Sequence, residues 1–328
     1  MPDTQWVGTG GESAQQYRAL CSLTERAHMP DEQLCGILTI DKPTGITSHD
    51  VVRHVRRITG QRRVGHAGTL DPLATGVLIL CLGQATRVIE YLMADDKIYR
   101  ARIRLGISTD TYDAEGKITF QAETDGISRA QVEQALKAFV GISKQVPPLY
   151  SAIKHKGTPL YRLARRGEVI PRKARKIKIE ALDFLEWAPP QLEIRVHCSK
   201  GTYIRSLAHD LGQQLGCGAH LTGLVREASG RFCLEHAITL DDLERAFTTG
   251  RGPSLLQPLD AALQAFPSVA VDRVTEREIR FGQRVRLSEA LPTPMCRAYS
   301  TDGHLIALLR PVSDGYWQPH KVFHRAQE

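Results

Sequence analysis

The stretch GHAGTLDPLATGVLIL, residues 65–80, sets one carboxylate, Asp71, directly before a proline and just ahead of the apolar run from Val77 to Leu82. A carboxylate at the mouth of a buried strand can attack an electrophilic carbon or act as a general base. A structural part fits the same residues. Asp caps free helix N–H groups and Pro tolerates the first helical position, so residues 72–75 could be one capped turn stopped by Gly76. Other chemistry finds less support. Seven cysteines, an odd number without C-x-x-C spacing, read as reduced thiols rather than disulfides or a zinc site. His320 and His324 have the spacing of one helical face, yet no nearby acid or cysteine completes a metal set, so they read as surface residues. The chain lacks G-x-S-x-G, a Walker loop and paired metal ligands, which argues against a hydrolase with an Asp nucleophile.

Something must hold Asp71 in place. GILTIDKPTGITSHD reads as a strand over 36–40, a Pro-Gly turn, and a helix capped by Thr47 or Ser48 with Val51, Val52, Val55 and Ile58 at helical spacing. A helix is predicted over 85–93. Residues 97–106, KIYRARIRLG, alternate apolar and basic side chains, the mark of a strand with one wet face. Ser128 starts a helix with Val132, Leu136 and Val140. Residues 177–187 and 191–198 form a strand pair joined through Pro189-Pro190, and 202–215 a helix with Ile204, Leu207, Ala208 and Leu211 on one face. Such irregular interleaving predicts an α+β fold rather than repeating βαβ units. The expected divisions are a poorly ordered extension over 1–33, a main unit over 34–250, a linker over 251–265 and a second unit over 266–328. Short strand candidates at 269–271, 284–287, 296–300 and 305–309 suit a small β-barrel there.

Charge narrows the partner. The formal net charge is +7, but between Lys154 and Lys178 ten Lys/Arg face one acid, Glu168. That local balance of +9 leaves −2 for the remainder, so the basic character belongs to one insertion, about 143–176. A basic segment carrying Tyr161, glycines and prolines is unlike a plain solvated helix and suits phosphate backbones. A second cluster comprises Arg53, Arg56, Arg57, Arg62 and Arg63. No apolar run approaches the roughly 20 residues of a membrane helix. The first thirty residues lack the pattern of a signal peptide, so the cytoplasm is the expected location.

Four segments resemble one family, the bacterial tRNA pseudouridine-55 synthases of the TruB type. They are LTIDKPTGITSHD, with Lys42, Pro43, Gly45 and Ser48; GHAGTLDPLATGVL around Asp71; DKIYRARIRLGISTDTYDAEG; and HCSKGTYIRSLAHDLGQQLGCGAHLTGL. PPLYSAIKHKGTPLYRLARRGEVIPRKAR resembles the family's RNA-gripping insertion, and together these cover most of residues 36–233. Ala67 stands where the family more often has Thr. Val225 breaks a usual arginine pair after Leu224 and leaves Arg226, which is expected to weaken a backbone contact.

The resemblance implies a pseudouridine-synthase fold, a mixed and mainly antiparallel sheet flanked by helices, with a small PUA-like RNA-binding β-barrel at the C-terminal end. It implies isomerisation of uridine 55 in the T arm of tRNA after base flipping, with no metal, redox group or other cofactor. By the same resemblance Asp71 is the nucleophile, Arg205 favours its ionised form, and Tyr99 stacks on the base and takes the C5 proton. His66 fills the gap left by the flipped base. Tyr203 and Leu224 line the pocket, and Lys42 and Pro43 brace the Asp71 loop. Arg165, Arg166, Arg172 and Lys173 grip phosphates. The expected partner is tRNA alone, bound by a monomer with no protein partner and no membrane. Two other readings stay open: a guide-RNA-dependent synthase that shares the Asp71 motif, and a non-catalytic tRNA-folding chaperone.

Overall fold

A computed structural model describes residues 34–324 apart from 152, 156, 165, 167, 169 and 288–291; the expected extension over 1–33 lies outside the described residues. The chain runs through β1 (Gly36–Lys42), α1 (Ser48–Thr59), β2 (Val64–His66) and β3 (Thr75–Leu82). β3 is a nearly continuous apolar run, and both it and β1, which carries Thr39, Asp41 and Lys42, are largely buried on both faces. Of the two candidate caps, Thr47 takes the position. Its hydroxyl accepts from the Asp50 N–H, and the Asp50 carboxylate accepts from the Thr47 N–H, closing a capping box. Val51, Val52 and Val55 then face the core.

The helix predicted over 85–93 is two pieces, a 3-10 segment Gly83–Val88 followed by α2 (Ile89–Ala94). The Thr86 hydroxyl bonds back to the Gly83 carbonyl at 2.8 Å, and this local bond favours the tighter turn. β4 (Lys97–Leu105) alternates as predicted, with Tyr99, Ala101, Ile103 and Leu105 inward and Arg100, Arg102 and Arg104 outward. β5 (Ile107–Thr109) and β6 (Ile118–Gln121) pair as a hairpin. Ser128 caps α3 (Arg129–Lys137), which buries Val132 and Leu136. Val140, predicted on that face, falls beyond the helix end and is exposed.

β7 (Gly141–Gln145) leads into the basic insertion. There β8 (Lys154–His155), β9 (Thr158–Pro159) and α4 (Leu160–Ala164) occur, with Leu160, Leu163, Ile170 and Ile153 in one small apolar cluster. The chain returns in β10 (Arg175–Ala188), whose residues 175–179 pair antiparallel with β7. The arm therefore leaves and rejoins the sheet through adjacent strands. β11 (Gln191–Cys198), α5 (Ile204–Gln214), β12 (Ala219–Ser229), β13 (Phe232–Cys233) and α6 (Leu240–Thr248) follow.

Among the described residues the main sheet has nine strands, ordered β1-β3-β12-β4-β11-β10-β7, with β2 on β3 and β13 on β12. Its ladders are antiparallel except where β3 runs parallel to β12. One face packs on α1, α3, α5 and α6 through Leu38, Ile40, Leu80, Ala101 and Ile103. On the other, Ile37, Ile79 and Cys81 meet Ala85, Leu92 and Phe232.

The remaining elements are β14 (Ser268–Ala270), α7 (Arg273–Arg280), β15 (Val285–Arg286), β16 (Cys296–Tyr299), β17 (Leu305–Pro311) and β18 (Tyr316–Val322). Their five-stranded sheet is compatible with the PUA-like unit expected there. It has its own core around Ile279, Cys296 and Trp317 and meets the main unit through Val88, Leu263, Leu308 and Phe323. His320 stands on β18, so no helical face joins it to His324; both are exposed. Among the described residues no helix is long and apolar enough to cross a membrane.

Candidate active site

Asp71 opens a turn, not a helix: the Ala74 N–H donates to the Asp71 carbonyl at 3.0 Å, and β3 begins one residue later. The loop after β1 grips this turn. Lys42 is wholly buried, and its Nζ donates to the carbonyls of Pro43, Pro72 and Ala74 at 2.9, 3.3 and 2.7 Å. The Gly45 N–H donates to the Pro72 carbonyl, and the Ser48 hydroxyl both donates to the Leu70 carbonyl and accepts from the Leu70 N–H. Ser48 is thus free for this work because Thr47 caps the helix. Burial pushes the Lys42 ammonium down to about 8, against the pull of Asp71.

The far side of the turn is held by β12. Gly76 has φ 93°, and a Cβ there would overlap the Arg226 carbonyl; that close approach seats Thr75 and Gly76 beside Val225 and Arg226. The buried Arg226 guanidinium donates to the Val77 carbonyl at 2.6 Å and to the Gly68 carbonyl at 3.1 Å. It clasps both limbs of the turn. Tyr99 lies opposite Arg226 in the β4–β12 ladder.

The charges form a chain. Arg205, in the first turn of α5, reaches Asp71 Oδ2 at 3.1 Å and Asp113 Oδ2 at 3.5 Å. The side chains of Arg205 and Asp113 are 7% and 4% exposed, whereas that of Asp71 is 35% exposed, so Asp71 is the member a ligand can reach. Asp113 is pinned by the Thr111 hydroxyl and the Glu115 N–H on Oδ1. Its neighbour Tyr112 adopts φ 67° and stacks on His209, one turn beyond Arg205, with ring centroids 3.9 Å apart. Burial pushes the Asp71 carboxyl above its ordinary value, Arg205 pulls it back, and Asp113 pushes it up again. Arg205 is the larger of the two cations that favour the ionised form, the other being Lys42.

Around this chain stand other residues singled out from the sequence. Tyr99 is buried, which raises its phenol above the ordinary value, while Arg226 pulls it down. His66 lies on β2 with its Nδ1 shielded and unbonded among the described residues; burial first, then Arg226 and His49, push it below the usual histidine range. Tyr203, half-buried before α5, has its ring centre 6.0 Å from the Arg205 guanidinium carbon. Leu224, half-buried on β12, faces Ala101 across the ladder. The arm residues form a separate group. Arg166 and Lys173 are exposed, Arg172 donates to the Pro147 carbonyl at 3.1 Å, and Arg165 lies outside the described residues.

Sequence reasoning missed Asp113 and Arg226 as site residues. Both lay inside quoted segments or next to them: Asp113 in STDTYDAEG, Arg226 two residues past Leu224 and so on the same strand face. Ala67 is fully buried against β3, with its N–H on the Ile79 carbonyl. Val225 lines a cavity of about 550 Å³ together with Asp41, Pro43 and Asp242. Among the described residues one grouping of potential metal-ligand atoms, Cys233, Glu235 and His236, shares no residue with the site.

This arrangement of sheet and helices is the pseudouridine-synthase fold. A chain in the solved structure of an H/ACA RNP bound to a substrate RNA containing 2'-deoxyuridine superposes with a TM-score of 0.68 at 25% identity, over 90% of this chain and 86% of that one. The Cbf5-Nop10-Gar1 complex gives 0.68 at 27% identity, over 90% and 87%. The family model for the N-terminal domain of the TruB family pseudouridylate synthases matches residues 56–204, and that for the tRNA pseudouridylate synthase B C-terminal domain matches 205–264. Curated relatives named tRNA pseudouridine synthase B include one from Dehalococcoides mccartyi, 46% identical over 88% of this chain and 97% of its own length. Another, from Burkholderia mallei, is 42% identical over 92% and 98%. The chain belongs to the TruB family of pseudouridine synthases.

Proposed function

We propose that this protein converts uridine 55 in the T arm of tRNA to pseudouridine without a guide RNA. The observation that carries the reading is Asp71 itself, the reachable end of an otherwise buried Asp113–Arg205–Asp71 chain with Tyr99 in the strand beneath. The names and identities of the curated relatives support tRNA as substrate.

In this reading the target uridine is flipped from the T loop into the pocket and stacked there by Tyr99, while His66 occupies the space it leaves. Asp71 attacks the nucleoside covalently, and the N-glycosidic bond breaks with its electron pair staying on uracil N1. The uracil turns and C5 bonds to the ribose carbon. C5 displaces Asp71 from the ribose carbon, and Tyr99 relays a proton, giving up its phenol proton as it takes that of C5, so that N1 ends protonated and product and substrate have the same atoms. Arg205 keeps Asp71 ionised before attack, Tyr203 and Leu224 line the pocket, and Lys42 holds the turn rigid. Arg165, Arg166, Arg172 and Lys173 attract phosphates, and the C-terminal unit adds RNA contacts.

The test is incubation of purified protein with one unmodified tRNA transcript and no other RNA, followed by mapping of pseudouridine. A single new pseudouridine at position 55 is expected. No conversion, or conversion that needs a guide RNA, overturns the reading.

A further inference from the structure

The arm and the site meet at a residue that neither of their roles uses. Gln145, the last residue of β7, is 5% exposed. Its carboxamide faces the Tyr203 backbone with both ends: Oε1 accepts from the Tyr203 N–H at 2.8 Å, and Nε2 donates to the Tyr203 carbonyl at 3.0 Å. Tyr203 is the N-cap residue of α5 but offers no side-chain cap of its own, and Arg205 follows two residues on. Gln145 thus supplies, from outside, the fixing that the helix start lacks. The same joint includes the Ser206 hydroxyl on the Val146 carbonyl at 3.2 Å and Arg172, from the returning limb, on the Pro147 carbonyl. Both limbs of the arm are bonded at their root to each other or to the first turn of α5.

We propose that Gln145 is a positioning residue that sets the reach of Arg205 to Asp71 from the root of the arm, coupling RNA seated on the arm to the readiness of the carboxylate. This rests on the synthase reading above. A primary amide satisfied at both ends fixes the backbone of Tyr203 in two directions, and a first helical turn without its anchor frays. Arg205 then spends less time at contact distance from Asp71. Because that guanidinium exerts the largest downward pull on the Asp71 carboxyl, looser contact leaves Asp71 protonated at a higher pH. The other charged and titratable groups facing Asp71 are Asp113 and Glu115 from the loop between β5 and β6, Lys42 from β1, Tyr99 from β4 and Tyr203 before α5. Gln145 makes no bond to the side chains of Asp113, Glu115, Lys42 or Tyr99; its two side-chain bonds go to the Tyr203 backbone alone.

The experiment is single-turnover pseudouridine formation on saturating unmodified tRNA, followed as pH is lowered, with tRNA affinity and thermal unfolding measured in parallel. Gln145→Ala removes both bonds. Gln145→Met keeps the length, removes both bonds and adds no charge, and it reads the same test if the alanine variant does not fold. Each variant is expected to slow the step roughly tenfold, the effect of losing one or two hydrogen bonds, with affinity within about threefold. The acid limb of the rate should move to higher pH. A packing role alone would lower the unfolding temperature and leave the limb in place, and an unmoved limb overturns the proposal. Wild-type protein that makes no pseudouridine overturns the synthase reading instead, so the two failures are distinguishable.

Discussion

The Asp71 turn and the arm between β7 and β10 face the same RNA in the proposed reading, yet they are built on opposite principles. Around the turn Lys42, Ser48, Asp113, Arg205 and Arg226 are all buried, and each is bonded to partners distant in sequence; Arg226 reaches Gly68 across 158 residues. In the arm Arg166 and Lys173 are exposed, and the small apolar cluster there comprises Ile153, Leu160, Leu163 and Ile170. A bond-breaking group must be held to a fraction of an ångström, whereas Coulomb attraction to a phosphate chain tolerates loose geometry. Burial therefore follows the demand for precision rather than the presence of charge.

The sharpest way to test that contrast is to change one atom in the turn. Asp71→Asn should abolish pseudouridine formation while tRNA affinity stays within about threefold, because a covalent participant is lost and the phosphate contacts are kept. Conversion by a variant shown by mass spectrometry to be free of deamidation would break the assignment. One step weaker, Arg205→Ala should cut the single-turnover rate by on the order of 10²–10³, as removal of a preorganised charge does elsewhere. It should also shift the acid limb. Arg205 lowers the Asp71 carboxyl, so without it the carboxylate is lost at a higher pH as pH falls. A rate profile superposing on wild type would make Arg205 a structural ion pair only.

The arm should answer differently. Replacing Arg165, Arg166, Arg172 and Lys173 together with Gln is expected to flatten the slope of log affinity against log salt by up to about 3, at roughly 0.7–0.9 per phosphate contact. The rate on saturating tRNA should change far less than the affinity. An unchanged salt slope would place the RNA elsewhere, with the arginines between Arg53 and Arg63 as the next footprint to test. The smallest effect is expected at Thr47→Ala. Loss of the capping box should cost about 1 kcal/mol of stability in chemical denaturation, with rate and affinity unmoved. A large loss of rate would mean that α1 transmits its position to Ser48 and the turn.

Much of this was legible before any coordinates. The alternation in KIYRARIRLG, the capping signal before Val51 and the apolar run into Leu82 are local patterns, and local physics decided them. Asp71 and Arg205 were legible through their motifs, and the structure brings them to 3.1 Å. What escaped was set by neighbours. Asp113 and Arg226 are charged residues whose burial depends on partners far along the chain, a property no window of sequence displays. Gln145 falls inside the basic insertion read over about 143–176 and draws no notice until Tyr203 is placed beside it. Val140 follows the helical period but lies beyond Ala138, where α3 ends. Strand β18 combines Trp317 inside with exposed Tyr316 and His320, too weak a pattern to separate from loop.

The seam at Gly76 has a consequence for how this protein can change over time. Ser48 fixes Leu70 at one end of the turn, and the side-chain-free contact of Gly76 with Arg226 fixes the other. Between those two rivets the chain has a set length, and one residue more or fewer would move Asp71 away from Arg205. The arm hangs from adjacent strands, residues 175–179 of β10 pairing with 141–145 of β7. In the proposed reading, new substrate range can therefore be written as insertions, deletions and charge changes beyond β7. The turn admits only substitution, and at Gly76 not even that.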